Sequence, residues 1–153
     1  MPNDSILEQA SALFSRSWEA YEQRRLFEAE NLTRQAKELW EQELGPECLQ
    51  VSTCLNNLGR ICEETDRAEE GIVWHRAALA MRHKLLGDHP ETAFSYGNLG
   101  TALAMAGYLE EAVEMLGAAV DCFERCGDSG GHDVEGYKRN FEICRAALAE
   151  QQS

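Results

Sequence analysis

The segment LNNLGRI at residues 55–61 has a shorter echo, GNLGTAL, at 97–103, so that Asn-Leu-Gly returns after 41 residues. The surroundings repeat as well. ELGPECLQV (43–51) precedes the first copy and LLGDHPETA (85–93) the second, while DRAEEGIVWHRAAL from Asp66 and GYLEEAVEMLGAAV from Gly107 follow them. An earlier partial copy, RRLFEAENLTRQAKEL, begins at Arg24, which sets the anchors Arg24, Asp66 and Gly107 at intervals of 42 and 41 residues. HDVEGYKRNFEIC (132–144) opens a fourth copy, with Asn140 lying 42 residues beyond Asn98. A fixed period of this size is the signature of a tandem array of small supersecondary units.

Each unit reads as two helices. Val51, Cys54, Leu55, Leu58, Ile61 and Cys62 follow the spacing of one helical face, and Ala93, Tyr96, Leu99, Leu103 and Ala106 repeat it. Second helices are expected at about Leu26 to Leu44, Ala68 to Leu86 and Leu109 to Cys126. Gly45-Pro46, Gly87 with Pro90, and Gly127 through Gly131 punctuate them, because Pro has no backbone donor and Gly tolerates positive φ. No stretch alternates like a strand. The expected fold is all-α, with roughly seven helices.

Composition bounds the function. With 153 residues, 44% of them hydrophobic, the chain is long enough to bury a continuous core as a single domain over 1–153. Repeats are expected at about 8–45, 46–87 and 88–127, with a partial repeat at about 132–149. No apolar run approaches the ~20 residues of a membrane span, and no signal peptide is read at the start, so no membrane association is expected. The six cysteines (Cys48, Cys54, Cys62, Cys122, Cys126 and Cys144) mostly fall within expected helices, several on apolar faces, as reduced thiols do. A cytoplasmic protein follows. The net charge of −13 disfavours nucleic acid, which requires clustered Lys and Arg.

The unit resembles a tetratricopeptide repeat, in the longer 42-residue variety of kinesin light chains. LGDHPETAFSYGNLG followed by GYLEEA carries the pattern in the third unit, through Leu99, Gly100, Tyr108 and Ala112. The second unit supplies Leu58, Gly59 and Ala78 but has Gly71 where Ala is usual; the first keeps Ala29 and Ala36 but has Arg16-Ser17 in place of Leu-Gly. The fourth has Asn140-Phe141 and ends after its first helix. The resemblance implies an αα superhelix of three helix pairs plus a C-terminal capping helix. Lys138, Arg139, Glu142, Arg145 and Glu150 would form the outer side of that cap.

The resemblance also implies that first helices line a concave groove. On that frame Asn57, Asn98 and Asn140 occupy one position in successive units. Their amides could pair with the backbone of an extended peptide, or they could brace neighbouring helices. Other groove positions are Phe14, Trp18 and Tyr21; Thr53, Asn56, Arg60 and Glu64; Phe94, Thr101 and Met105; and Arg139. Trp18 and Tyr21 could grip an apolar anchor or pack between helices. Arg60 and Arg139 could receive a carboxylate or neutralise nearby Glu63 and Glu135. The family's clamp for a C-terminal carboxylate uses Lys and Asn where this chain has Phe14 and Trp18, so that use is not expected.

Catalytic chemistry finds little support. His89 and His132 read as turn residues, His75 as a core residue and His83 as exposed. Cys122 and Cys126, one helical turn apart, lack further ligands at zinc spacing. GDSGGHD (127–133) has no strand–turn–helix context for a hydrolase serine. We therefore expect no catalytic residue, metal or cofactor, and a protein or peptide partner, neutral or basic given the acidic net charge. Self-assembly through the array edges is the alternative among binding functions, and an enzyme or metal protein using Cys and His is the alternative from another class.

Overall fold

A computed structural model describes all 153 residues, Met1–Ser153. Seven α-helices and no strand make up the chain: α1 (Asp4–Glu22), α2 (Leu26–Leu44), α3 (Leu49–Glu64), α4 (Ala68–Leu86), α5 (Pro90–Met105), α6 (Leu109–Cys126) and α7 (Val134–Gln151). The all-α expectation and the three second-helix boundaries are those observed. The helices gather into two compact units, Met1–Met81 and Arg82–Ser153, with the boundary inside α4.

The three repeat anchors are the residues that turn the chain between paired helices. Arg24, Asp66 and Gly107 all adopt positive φ, at 62°, 57° and 91°. The next residue in each case donates its N–H to the carbonyl five residues back: Arg25 to Ala20 and Arg67 to Cys62, both at 2.8 Å, and Tyr108 to Leu103 at 2.9 Å. These bonds take up carbonyls that a helix C-terminus leaves open. Helix starts are capped by side chains where the sequence offers them. The Asn3 carboxamide accepts from Ser5 N–H, His89 Nδ1 from Glu91 N–H and the Asp133 carboxylate from Gly136 N–H. The Asn3 cap starts α1 ahead of the repeat frame expected from about residue 8.

In the first unit, Ala10, Ala36, Trp40, Val51, Cys54, Leu55 and Ala78 form the main core, and Ala20, Ala29, Leu32 and Ile61 a second cluster. Gly59 of α3 faces the His75 ring of α4 so closely that a Cβ there would lie 2.7 Å from it. Ser17 takes the matching place in α1, fully buried, with its hydroxyl donating to Phe14 O at 2.7 Å. Arg67 grips Glu30 of α2 through two bonds of 2.9 and 3.0 Å, and Arg34 adds a third at 3.2 Å. The Arg67 hydrogen bond is the main influence holding the Glu30 carboxyl below its usual range, against the desolvation that would raise it.

In the second unit, Ala93, Cys122 and Phe123 centre a cluster that includes Phe94, Val134 and Tyr137. A Cβ on Gly100 would lie 2.7 Å from Leu116 Cγ and 3.0 Å from its backbone N, so α5 and α6 meet without room for a methyl group. α7 packs through Tyr137 over Gly97 and Phe141 over Gly117. Its other side carries Lys138, Glu142 and Arg145, as expected of a polar cap, but also Ile143 at 65% exposure.

Two expected outcomes follow. Gly100→Ala should destabilise the fold by about 1–3 kcal/mol, because the obstructing atom is partly backbone and cannot rotate away; a urea titration reads this. Glu30→Gln should cost about 1–3 kcal/mol at neutral pH, the scale of a hydrogen-bonded charge. A carboxyl with a lowered folded pKa stabilises above its unfolded value of about 4.3 and loses that contribution as pH falls through the folded value. The gap between wild type and Glu30→Gln should therefore close as the medium is taken below about pH 4.

Candidate functional site

The repeat places one side chain of each first helix immediately after the small residue that touches the second helix: Trp18 after Ser17, Arg60 after Gly59 and Thr101 after Gly100. An α-helix turns about 100° per residue, so these side chains leave the pair interface. In the first unit Trp18 is 40% exposed and its ring stacks on that of Tyr21, centroids 5.8 Å apart and planes at 21°. Arg60 lies over both rings, its guanidinium carbon 5.3 Å from the Trp18 centroid and 5.0 Å from that of Tyr21. Glu64, one turn further along α3, is held by Arg24 at 2.8 Å and accepts from the Tyr21 hydroxyl at 3.4 Å. Phe14 instead packs on Trp40 with centroids 5.7 Å apart, within the core.

Asn57 is only 3% exposed. Its amide donates to the Thr33 hydroxyl at 3.4 Å, and Thr33 in turn donates to Ala29 O at 2.8 Å. Asn56 is buried too. In the second unit Asn98 accepts from the Tyr137 hydroxyl at 3.1 Å, and Asn140 donates to the Thr101 hydroxyl at 3.4 Å. All three amides of the asparagine position thus engage another helix; Asn98 and Asn140 remain half-exposed.

Beside the Asn140–Thr101 bond is a cleft of about 310 Å³, lined by Thr101, Met105, Leu109, Asn140, Ile143 and Ala147 among others. Met105 and Ile143, 70% and 65% exposed, stand at it. Phe94 lies elsewhere in the same unit, stacked on His132 with centroids 4.1 Å apart and planes at 11°, while the Arg82 guanidinium carbon lies 5.9 Å from the Phe94 ring centroid. His132 also bonds Glu91 at 2.9 Å, so it is a packed side chain as well as a turn residue. Arg139 is 69% exposed and 3.9 Å from Asp133. The structure therefore brings Trp18, Tyr21 and Arg60 together in one unit and Thr101 with Asn140 in the other, and leaves Phe94 and Arg139 outside those groupings.

The groups with chemical potential are otherwise engaged. All six cysteines are free, and burial pushes the Cys54 thiol up to about 12 and raises Cys62 as well. Burial likewise raises Cys126, with Cys122 beside it. Glu30, Cys62 and Glu70 converge within 4.8 Å, a grouping the sequence did not single out, but Arg67 and Arg34 reach both carboxylates. His75 bonds Glu63 at 3.0 Å from a fully buried position. No helix is long and apolar enough to cross a membrane.

The Asn57 geometry has a measurable consequence. Asn57→Ala should lower stability by about 1 kcal/mol through loss of the Thr33 bond, a drop of about 2–4 °C in melting temperature for a chain this size. An unchanged melt would show that the bond contributes nothing.

The tetratricopeptide-repeat family model matches residues 19–70 and 59–125. No curated protein matches the sequence significantly. Among solved structures, BtubC (BKLC) from P. vanneervenii is similar with a TM-score of 0.84 and 19% identity, over 94% of this chain and 57% of that one. The apo form of RapI gives a TM-score of 0.83 at 15% identity, over 94% of this chain and 51% of its own. A putative kinesin light chain from Podosopora anserina with nearly identical TPR-like repeats gives 0.80 at 18% identity, over 95% and 70%. The chain thus spans about half the length of BtubC and RapI, and at these identities the likeness is one of fold. With the family model covering more than half of its residues, the chain belongs to the tetratricopeptide-repeat family.

Proposed function

We propose that this chain is a non-enzymatic scaffold that takes up an extended peptide or partner segment along the faces of its first helices. Tetratricopeptide repeats serve generally as protein–protein interaction scaffolds. The observation that carries the finer reading is the apolar cleft between α5 and α7, where Met105 and Ile143 present exposed hydrocarbon beside the Thr101 and Asn140 polar pair. Apolar pockets flanked by a few directed polar groups suit a side-chain anchor with an adjoining peptide backbone. Asn98 and Asn140, still half-exposed, supply amides for such a backbone; Asn57 braces from beneath. Trp18, Tyr21 and Arg60 supply the contact surface of the first unit, while Phe94 and Arg139, outside the cleft of the second, are not assigned to it. The net charge of −13 steers basic or neutral partners at long range. The six free thiols, mostly buried, suit a reducing, cytoplasmic setting.

Selection of phage-displayed random dodecapeptides on the immobilised protein tests this. Peptides should be recovered, and Met105→Asp with Ile143→Asp should weaken them at least 10-fold, since fully burying each such side chain is worth about 1.5–3 kcal/mol. The melting temperature of the double variant should stay within a few degrees of wild type, both side chains being exposed. Recovery of no peptide, or undiminished binding by the double variant, would contradict the reading.

A further inference from the structure

We infer that Arg60 is the receptor for a carboxylate of the bound peptide, with Trp18 as the platform for the residue beside it; this rests on the peptide-binding reading above and names the chemistry of the partner. Most other arginines in this acid-rich chain are paired; Arg16 is not, but it is simply exposed to solvent. Arg24, Arg34, Arg67, Arg82 and Arg125 each lie within 4 Å of a carboxylate. Arg60 makes neither a hydrogen bond nor an ion pair, although it is half-buried; its only contacts of this kind are with the Trp18 and Tyr21 rings.

The surroundings explain how it stays unpaired. A helical arginine ordinarily finds a carboxylate three or four residues away. α3 offers both, Glu63 and Glu64, and both are taken: Glu63 by His75 at 3.0 Å, Glu64 by Arg24 at 2.8 Å and the Tyr21 hydroxyl at 3.4 Å. The two rings meanwhile fix the guanidinium by cation–π attraction and shape a flat support for it. A guanidinium held in position loses little freedom on binding, and its fork of N–H donors matches a carboxylate in two parallel bonds. Trp18, 40% exposed beside it, offers apolar area to the neighbouring residue of the peptide. A segment that is basic or neutral overall and carries one carboxylate satisfies both the long-range field and this local receptor.

The test uses the phage-displayed dodecapeptides already described, resynthesised with free-acid and amidated C-termini. Binders should share an Asp or Glu at one position, or depend on the free C-terminal acid; the two syntheses separate a side-chain carboxylate from a terminal one. Changing that acid to its amide should weaken binding about 10- to 100-fold, the scale of a charge-assisted bond. Arg60→Met, which keeps the stem over the rings, should produce a similar loss, and the amide peptide should then lose little more. Arg60→Lys, retaining charge without the fork, should fall between. Because the peptide substitution leaves the protein untouched, instability of an Arg60 variant cannot mimic the result. Peptides that bind without a shared acid, or bind Arg60→Met undiminished, overturn the carboxylate inference and leave the peptide-binding reading standing. Recovery of no peptide overturns both.

Discussion

The close approach of paired helices governs where every other side chain goes. At Gly59 the His75 ring, and at Gly100 the Leu116 side chain and backbone, occupy the space a Cβ would need. Ser17 is the largest residue found at this position in the paired helices, and it is accommodated by turning its hydroxyl onto Phe14 O. Fixing that one contact fixes the rotation of the first helix, since side chains follow the helical period. The following residue then turns away from the pair contact, as Trp18, Arg60 and Thr101 do. Packing and the proposed contact surface are thus adjacent in sequence for a geometric reason.

Charge is arranged around the same frame. Carboxylates outnumber basic residues by 27 to 14, yet the arginines are used to tie helices together: Arg67 to Glu30, Arg24 to Glu64, Arg125 to Asp88. Asp88 is held below its usual range chiefly by its Arg125 bond. Exposed pairs of this kind contribute little stability; the Glu30 contact, with Glu30 only 12% exposed, carries more. Against this background Arg60 stands apart, held by aromatic rings while its neighbouring acids serve other partners.

Much of this fold is legible in the sequence. The breakers at Gly45-Pro46, Gly87 and Gly127 stop second helices at Leu44, Leu86 and Cys126, because backbone sterics act locally. The anchors Arg24, Asp66 and Gly107 mark the left-handed turn even where no glycine is present. The site is less legible. Periodicity placed Asn57 on a first helix, but only the position of Thr33 on α2 decides that its amide points inward. Phe14 was expected along the groove and lies against Trp40, a contact 26 residues away that no local pattern encodes. Ile143 shares the repeat position of Thr101, yet its exposure follows from how α7 packs through Tyr137 and Phe141. The Glu30–Arg67 grip, spanning 37 residues, had no sequence signal beyond opposite charge.

The central claim is that partners are taken up on the first helices. Chemical-shift mapping by ¹⁵N–¹H NMR of the protein bound to a peptide it selects reads this directly. The account predicts the largest perturbations at the Trp18 indole N–H, the Arg60 side-chain N–H and the amides of Thr101, Asn140 and Ile143. Perturbations concentrated on the outer positions of α2, α4 and α6, such as Phe27 and Val73, with those first-helix signals unmoved, would contradict it.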